Sequence, residues 1–226
     1  MNNPDVWALV ASYAYIFAVI GLGEGLRRKQ GYSSEFLRKV IHIGVGLWSI
    51  GTVLLFENRY MAIIPPLSFV VINAISYRFE LVKAMDAVED KSPGTIYFPI
   101  SFVVAILLFW DAKPLVVASL MPLTLGDAFA AIVGRAIGRT KYVIFGRHRS
   151  AEGSVSMCLF SFAGVALALW LMPMLLGTTL VIQPGLLIGS LIVALAATIV
   201  EALTPWNLDN LTVPAISMLA LALLVI

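Results

Sequence analysis

Charge is scarce in this chain of 226 residues. Only 12% are Asp, Glu, Lys or Arg, where a soluble domain carries about a quarter. With 60% hydrophobic residues and a mean hydropathy of +0.95, the chain has too little polar surface for a water-soluble fold and reads as an integral membrane protein. Cysteine is nearly absent too. The single Cys158, in an apolar stretch, excludes an intrachain disulfide and a cysteine-based metal cluster, and reads as packing. The first apolar run lacks the marks of a signal peptide: Asn2, Asn3 and Asp5 stand where a basic n-region would be, and no small-residue cleavage site follows. It is expected to be a retained spanning helix. No internal repeat of the kind found in transporter halves is visible, and no nucleic-acid partner is expected.

What is present is a series of apolar runs, each long enough to approach the ~30 Å of a bilayer's hydrocarbon. Eight spans are expected, at about 6–26, 40–56, 60–77, 95–110, 114–134, 155–176, 185–203 and 211–226. The segment 114–138 could also be a broken or re-entrant element. The expected fold is therefore all-α, a polytopic membrane protein of about eight transmembrane helices. Its basic residues are unevenly divided. The first loop holds Arg27, Arg28, Lys29, Arg38 and Lys39, and the third holds Arg78, Lys83 and Lys91. The fifth holds Arg135, Arg139, Lys141, Arg147 and Arg149, whereas the opposite side has only Arg59 and Lys113. The positive-inside rule then puts the odd-numbered basic loops in the cytoplasm. No loop is long enough for a soluble domain, so chemistry must use loops and helix ends.

The most unusual stretch is GDAFAAIVGRAIGRTKYVIFGRHRSAEGS, residues 126–154. Gly126, Ala130, Gly134 and Gly138 are four apart and form one small-residue ridge, suited either to close helix packing or to close approach of a ligand. Asp127 borders this ridge inside an apolar run, where an acid is costly and usually functional. A carboxylate beside a cationic loop suits a divalent metal held against phosphates. Lys141, Arg147 and Arg149 offer donors to phosphate oxygens. Arg135 and Arg139 read better as topological anchors. Ser150, Glu152 and Gly153 form a turn into the sixth span, whose start could bind an anion.

Supporting signals lie elsewhere. In RKVIH, Arg38 and His42 are four apart on one side of the second span; the histidine is either a packing residue or a proton carrier. Leu81, Met85 and Val88 suggest a short interfacial helix in the third loop. Glu201 ends the seventh span and Asp209-Asn210 open the eighth, Asp209 serving either as a helix cap or as a ligand. By the loop count, Asp127, Glu201, Asp209 and the basic loop converge on one side of the membrane.

These residues resemble the family of CTP-dependent polyprenol kinases, which includes dolichol kinase, phytol kinase and yeast-type diacylglycerol kinase and is related to phosphatidate cytidylyltransferases. The resemblance runs from RKVIHIGVG through GTIYFPIS and GDAFAAIVGRAIGRTKY…RSAEGS to EALTPWNLDNLTVP. It implies one transmembrane catalytic domain over residues 1–226. It also implies phosphoryl transfer from CTP, with Mg²⁺, to the hydroxyl of a membrane isoprenoid alcohol. Asp127 and Asp209 would hold the metal, and Glu201 or His42 would take the alcohol's proton. The CTP would be held by Arg38, Lys39, Gly126, Ala130, Gly134, Gly138, Lys141, Arg149, Ser150, Glu152, Gly153 and Asn210. The family's usual lysine before the Ser/Thr-x-Glu-Gly turn is Arg149 here. A cytidylyltransferase acting on a lipid phosphate and a small-anion transporter are the alternatives.

Overall fold

The computed structural model describes residues 3–30, 33–79, 94–205 and 208–225. It is an all-α bundle with one small hairpin. Two long helices, α1 (Pro4–Gln30) and α2 (Ser34–Leu55), pack side by side. Ser33 caps α2 by accepting the Phe36 N–H. A short α3 (Arg59–Ala62), capped by Asn58, runs through Ile63 into α4 (Ile64–Phe79). Then come α5 (Gly94–Phe109), a 3₁₀ turn at Trp110–Ala112, and α6 (Lys113–Met121), which packs back on α5. A π-helical turn at Pro122–Asp127 leads into α7 (Ala128–Ala136). The hairpin β1 (Lys141–Ile144) and β2 (Arg147–Ser150) follows, then α8 (Ala151–Leu176), α9 (Leu186–Leu203) and α10 (Asp209–Leu224). The predicted interfacial helix on residues 81–88 lies outside the described residues.

Each of the eight expected spans falls on a helical segment. Among the described residues, six helical stretches are long and apolar enough to cross a membrane, and the last helix, Asp209–Leu224, is a shorter apolar one. The difference arises at Gly94–Ala136, where two expected spans join through the turn at Trp110–Ala112 into one apolar stretch. The chain is thus a multi-pass membrane protein.

Its centre is α6, in which every residue from Pro114 to Met121 is buried. A helix that is apolar all round belongs in the middle of a bundle, and α6 is packed by α2, α5, α8 and α10. Pro122 then interrupts the ladder, because it has no N–H to donate. The chain widens there into the π turn rather than breaking, and so carries Asp127 inside the bundle. Close approach is needed next to it. A Cβ on Gly126 would collide with the Ser161 hydroxyl and come 2.8 Å from the Met157 sulfur of α8. Buried hydroxyls elsewhere donate back along their own helices, as Ser12 does to the Ala8 carbonyl and Ser217 to that of Val213.

Candidate active site

Three carboxylates on three helical elements meet at one end of the bundle. Asp127 arrives on the π turn, Glu201 on the last turn of α9 and Asp209 on the first turn of α10. One oxygen from each lies within 4.8 Å of the others. Asp127 and Glu201 are each 6% exposed. Asp209 does not act as the α10 cap; that position is Leu208, and the Asp209 carboxylate accepts the neighbouring Asn210 N–H instead.

Cations surround the acids. Lys39 donates from Nζ to Asp127 Oδ2 at 2.6 Å, across 88 residues of sequence. Arg149 pairs with Glu201 and also donates from Nη2 to the Thr204 carbonyl at 3.2 Å. Burial lowers the pKa of the Arg149 guanidinium, and the negative charge of Asp209 works against that shift. An arginine so placed remains charged. The Nε–H groups of Arg38 and Arg149 are enclosed and have no partner among the described residues. Donors left open in this way, beside acids, suit the oxygens of a phosphate chain.

The group encloses a polar cavity of about 260 Å³. Its walls include the three acids, the cations Arg38, Lys39, Lys141 and Arg149, and His42. Ala130, Gly134, Ser150, Gly153 and Asn210 complete the predicted residues that line it. Arg147 and His148 of the hairpin line it as well, as does Arg135, which pairs with Glu35 rather than serving only as an anchor. Cations of the first and fifth loops therefore meet at this cavity.

Three predicted residues stand apart from the cavity. Gly126 and Gly138 serve packing, the latter because a Cβ there would meet the Gly134 carbonyl and the Ser150 side chain. The Glu152 carboxylate points back along the chain and accepts the Thr140 N–H at 3.1 Å, fastening the entry to the hairpin. The start of α8 also has its donors engaged. Ser150 Oγ accepts the Gly153 N–H, and the Ala151 N–H donates to the Thr140 carbonyl. The small-residue ridge lets α7 lie on α8, so that a Cβ on Gly153 would stand 3.1 Å from the Ala130 carbonyl and 3.4 Å from the Gly134 Cα.

Sequence reasoning missed the hairpin. Its signal is two four-residue stretches around Phe145-Gly146, where both residues have positive φ, 49° and 75°. It also missed which partner Asp127 takes, for Lys39 was one basic residue among five in its loop.

His42 sits at a junction. Its Nε2 lies 2.9 Å from the Leu123 carbonyl and 3.9 Å from Asp127 Oδ2. A carbonyl only accepts, so Nε2 carries the proton, and Nδ1 of the neutral ring keeps its lone pair. Arg38, His42 and Asn210 line both the polar cavity and a second, apolar cavity of about 120 Å³ next to it.

The donor set fits a small hard cation such as Mg²⁺, which prefers one or two carboxylates together with phosphate oxygens. The chain is similar to a phytol kinase of Synechocystis, 30% identical over 94% of this chain and 91% of the relative. It is similar to a probable phytol kinase 1, chloroplastic, of Oryza sativa subsp. japonica, 31% identical over 97% of this chain and 74% of the relative. It is also similar to a farnesol kinase, chloroplastic, of Arabidopsis thaliana, 26% identical over 96% of this chain and 74% of the relative. No family model and no solved structure matches the chain.

Proposed function

The chain belongs to the phytol kinase family, and on that premise we propose that it is a CTP-dependent lipid kinase, with residues 1–226 as one catalytic domain. It transfers the γ-phosphoryl group of CTP to the hydroxyl of an isoprenoid alcohol such as phytol, farnesol, geranylgeraniol or a longer polyprenol, on the cytoplasmic side of the membrane. The observation that carries this reading is the meeting of Asp127, Glu201 and Asp209 within 4.8 Å, inside a cavity lined by cations.

The alcohol oxygen forms a bond to the γ-phosphorus, the bond from that phosphorus to the bridging oxygen breaks, and CDP leaves. Such a reaction depends on positioning and charge neutralisation more than on covalent help from the protein. Asp127 and Asp209 would hold Mg²⁺, which supplies that neutralisation at the transferring group. Lys141 and Arg149 would take phosphate oxygens, as would Arg38 through its open Nε–H. Lys39 holds Asp127 by its hydrogen bond until the nucleotide arrives and can then turn to a phosphate. The alcohol's proton passes to His42 through Nδ1. His42 is favoured over Glu201 because Glu201 is paired with Arg149, while His42 stands where the apolar and polar cavities join.

The test is transfer from CTP labelled at either the α or the γ phosphorus, with Mg²⁺ and a panel of isoprenoid alcohols, by protein reconstituted in liposomes. Label from the γ position alone is expected in the lipid. Label from the α position would make the protein a cytidylyltransferase, and no transfer to any alcohol would remove the kinase reading.

A further inference from the structure

The apolar cavity runs between α1, α2, α4 and α5. Along α2 its lining extends from Arg38, at the mouth of the polar site, to Thr52, a distance of ~21 Å at the helical rise. Ile16, Ile20, Val45, Phe69 and Phe102 form its sides. Spread over that length, a volume of about 120 Å³ makes the cavity a narrow slot with no room for two hydrocarbon chains abreast. The lining residues farthest from the polar site are Trp48 and Thr52 on α2 and Pro65 on α4.

We propose that this groove binds the prenyl chain of the alcohol and that Trp48 sets the longest chain accepted. The proposal rests on the kinase reading above. A chain lying in the groove brings its hydroxyl to Arg38, His42 and Asn210, the three residues common to both cavities.

Trp48 is a fixed wall. Its ring stacks on Tyr15 with centroids 4.6 Å apart, and its Nε1–H donates to Ser12 Oγ at 3.0 Å. Tyr15 is itself held, donating to the Gly44 carbonyl at 2.9 Å. The indole also lies over Gly51, where a Cβ would come within 2.6 Å of it, so glycine at that position gives the ring its place. A wall pinned on three sides sets a length limit that a flexible methionine or leucine would blur. The single-file width also rejects a two-chain alcohol such as diacylglycerol.

Two readouts on the reconstituted full chain test this. In the first, kcat/KM is measured with γ-labelled CTP for geraniol, farnesol, geranylgeraniol and geranylfarnesol, each one prenyl unit longer than the last, and for diacylglycerol. The unaltered protein should show a length cut-off and little turnover of diacylglycerol. Trp48→Ala should move the cut-off one unit longer, raising the preference for the longer alcohol by about tenfold, the discrimination a small change in an apolar pocket gives. In the second, which needs neither turnover nor a variant, geranylgeraniol carrying a photoreactive diazirine at its far end is crosslinked and the labelled peptide mapped. Label should fall on residues 48–52 or 65–69. A length profile that Trp48→Ala leaves unchanged, diacylglycerol turned over as well as the prenyl alcohols, or label on α8 or α9 would each overturn the proposal. Absence of transfer to every alcohol would overturn the kinase reading instead, and label in the groove would still assign it to a prenyl chain.

Discussion

Two buried aspartates sit at opposite ends of this bundle, each 6% exposed, and they are held in different ways. Asp5 accepts the backbone N–H of Glu57 at 2.8 Å and that of Asn58 at 3.4 Å, which fastens the start of α1 to the turn after α2. Lys113, at the same end, donates to the Phe56 carbonyl at 2.8 Å and lies 4.6 Å from the centre of the Trp110 ring. Both charges are spent on main chain or on a neighbouring ring. Asp127 is instead held by a movable ammonium, with two further carboxylates beside it and an open cavity in front. An acid satisfied by backbone groups is committed to the fold. One satisfied by a side chain can exchange its partner for a ligand, and burial alone does not tell the two apart.

The sharpest way to break this contrast is to substitute both. Asp127→Asn is expected to lower kcat/KM by about a thousandfold, roughly 4 kcal/mol of transition-state stabilisation, while the thermal midpoint changes little because Lys39, left without its carboxylate, lines the polar cavity and can be solvated there. Asp5→Ala should do the reverse. It takes the acceptor from the Glu57 and Asn58 N–H groups that tie α1 to the turn after α2, costing about 1–3 kcal/mol of stability, while turnover per folded molecule holds. Equal effects of the two on turnover would dissolve the distinction.

The Arg149–Glu201 pair sharpens it. Arg149→Met leaves an uncompensated buried carboxylate and should cost about 3 kcal/mol of stability. Arg149→Met with Glu201→Leu should recover that stability in denaturation, because an apolar pair can replace a buried ion pair. Activity should remain lost, because the phosphate donor is gone. Recovery of both would make the pair structural, like Asp5.

The smallest effect is expected at Glu152. Its carboxylate serves Thr140 at the surface, so Glu152→Gln, which keeps an acceptor oxygen, should change kcat/KM by less than about tenfold. A loss matching that of Asp127→Asn would bring Glu152 into the nucleotide site.

The spans were legible because a bilayer demands long apolar runs, and the even spacing of basic loops carried the end-to-end arrangement. That same count foretold the meeting of Asp127, Glu201 and Asp209. The partner of Asp127 was not legible, because Lys39 reaches it across 88 residues, and only packing of α2 against the π turn decides which cation of the first loop arrives. Glu152 looked like a ligand through its place in a motif, but its rotamer turns it to Thr140, a detail no spacing encodes. The widening at Pro122 likewise depends on neighbours that support the chain rather than on the proline alone.

The most direct test of the central claim is calorimetric titration of the purified protein with CTP and Mg²⁺. The account predicts that Asp127→Asn and Asp209→Asn each weaken metal-dependent nucleotide binding at least tenfold, about 1.4 kcal/mol, while Asp5→Ala leaves it unchanged. Binding that survives both site substitutions at full strength, or that Asp5→Ala weakens as much as they do, would contradict it.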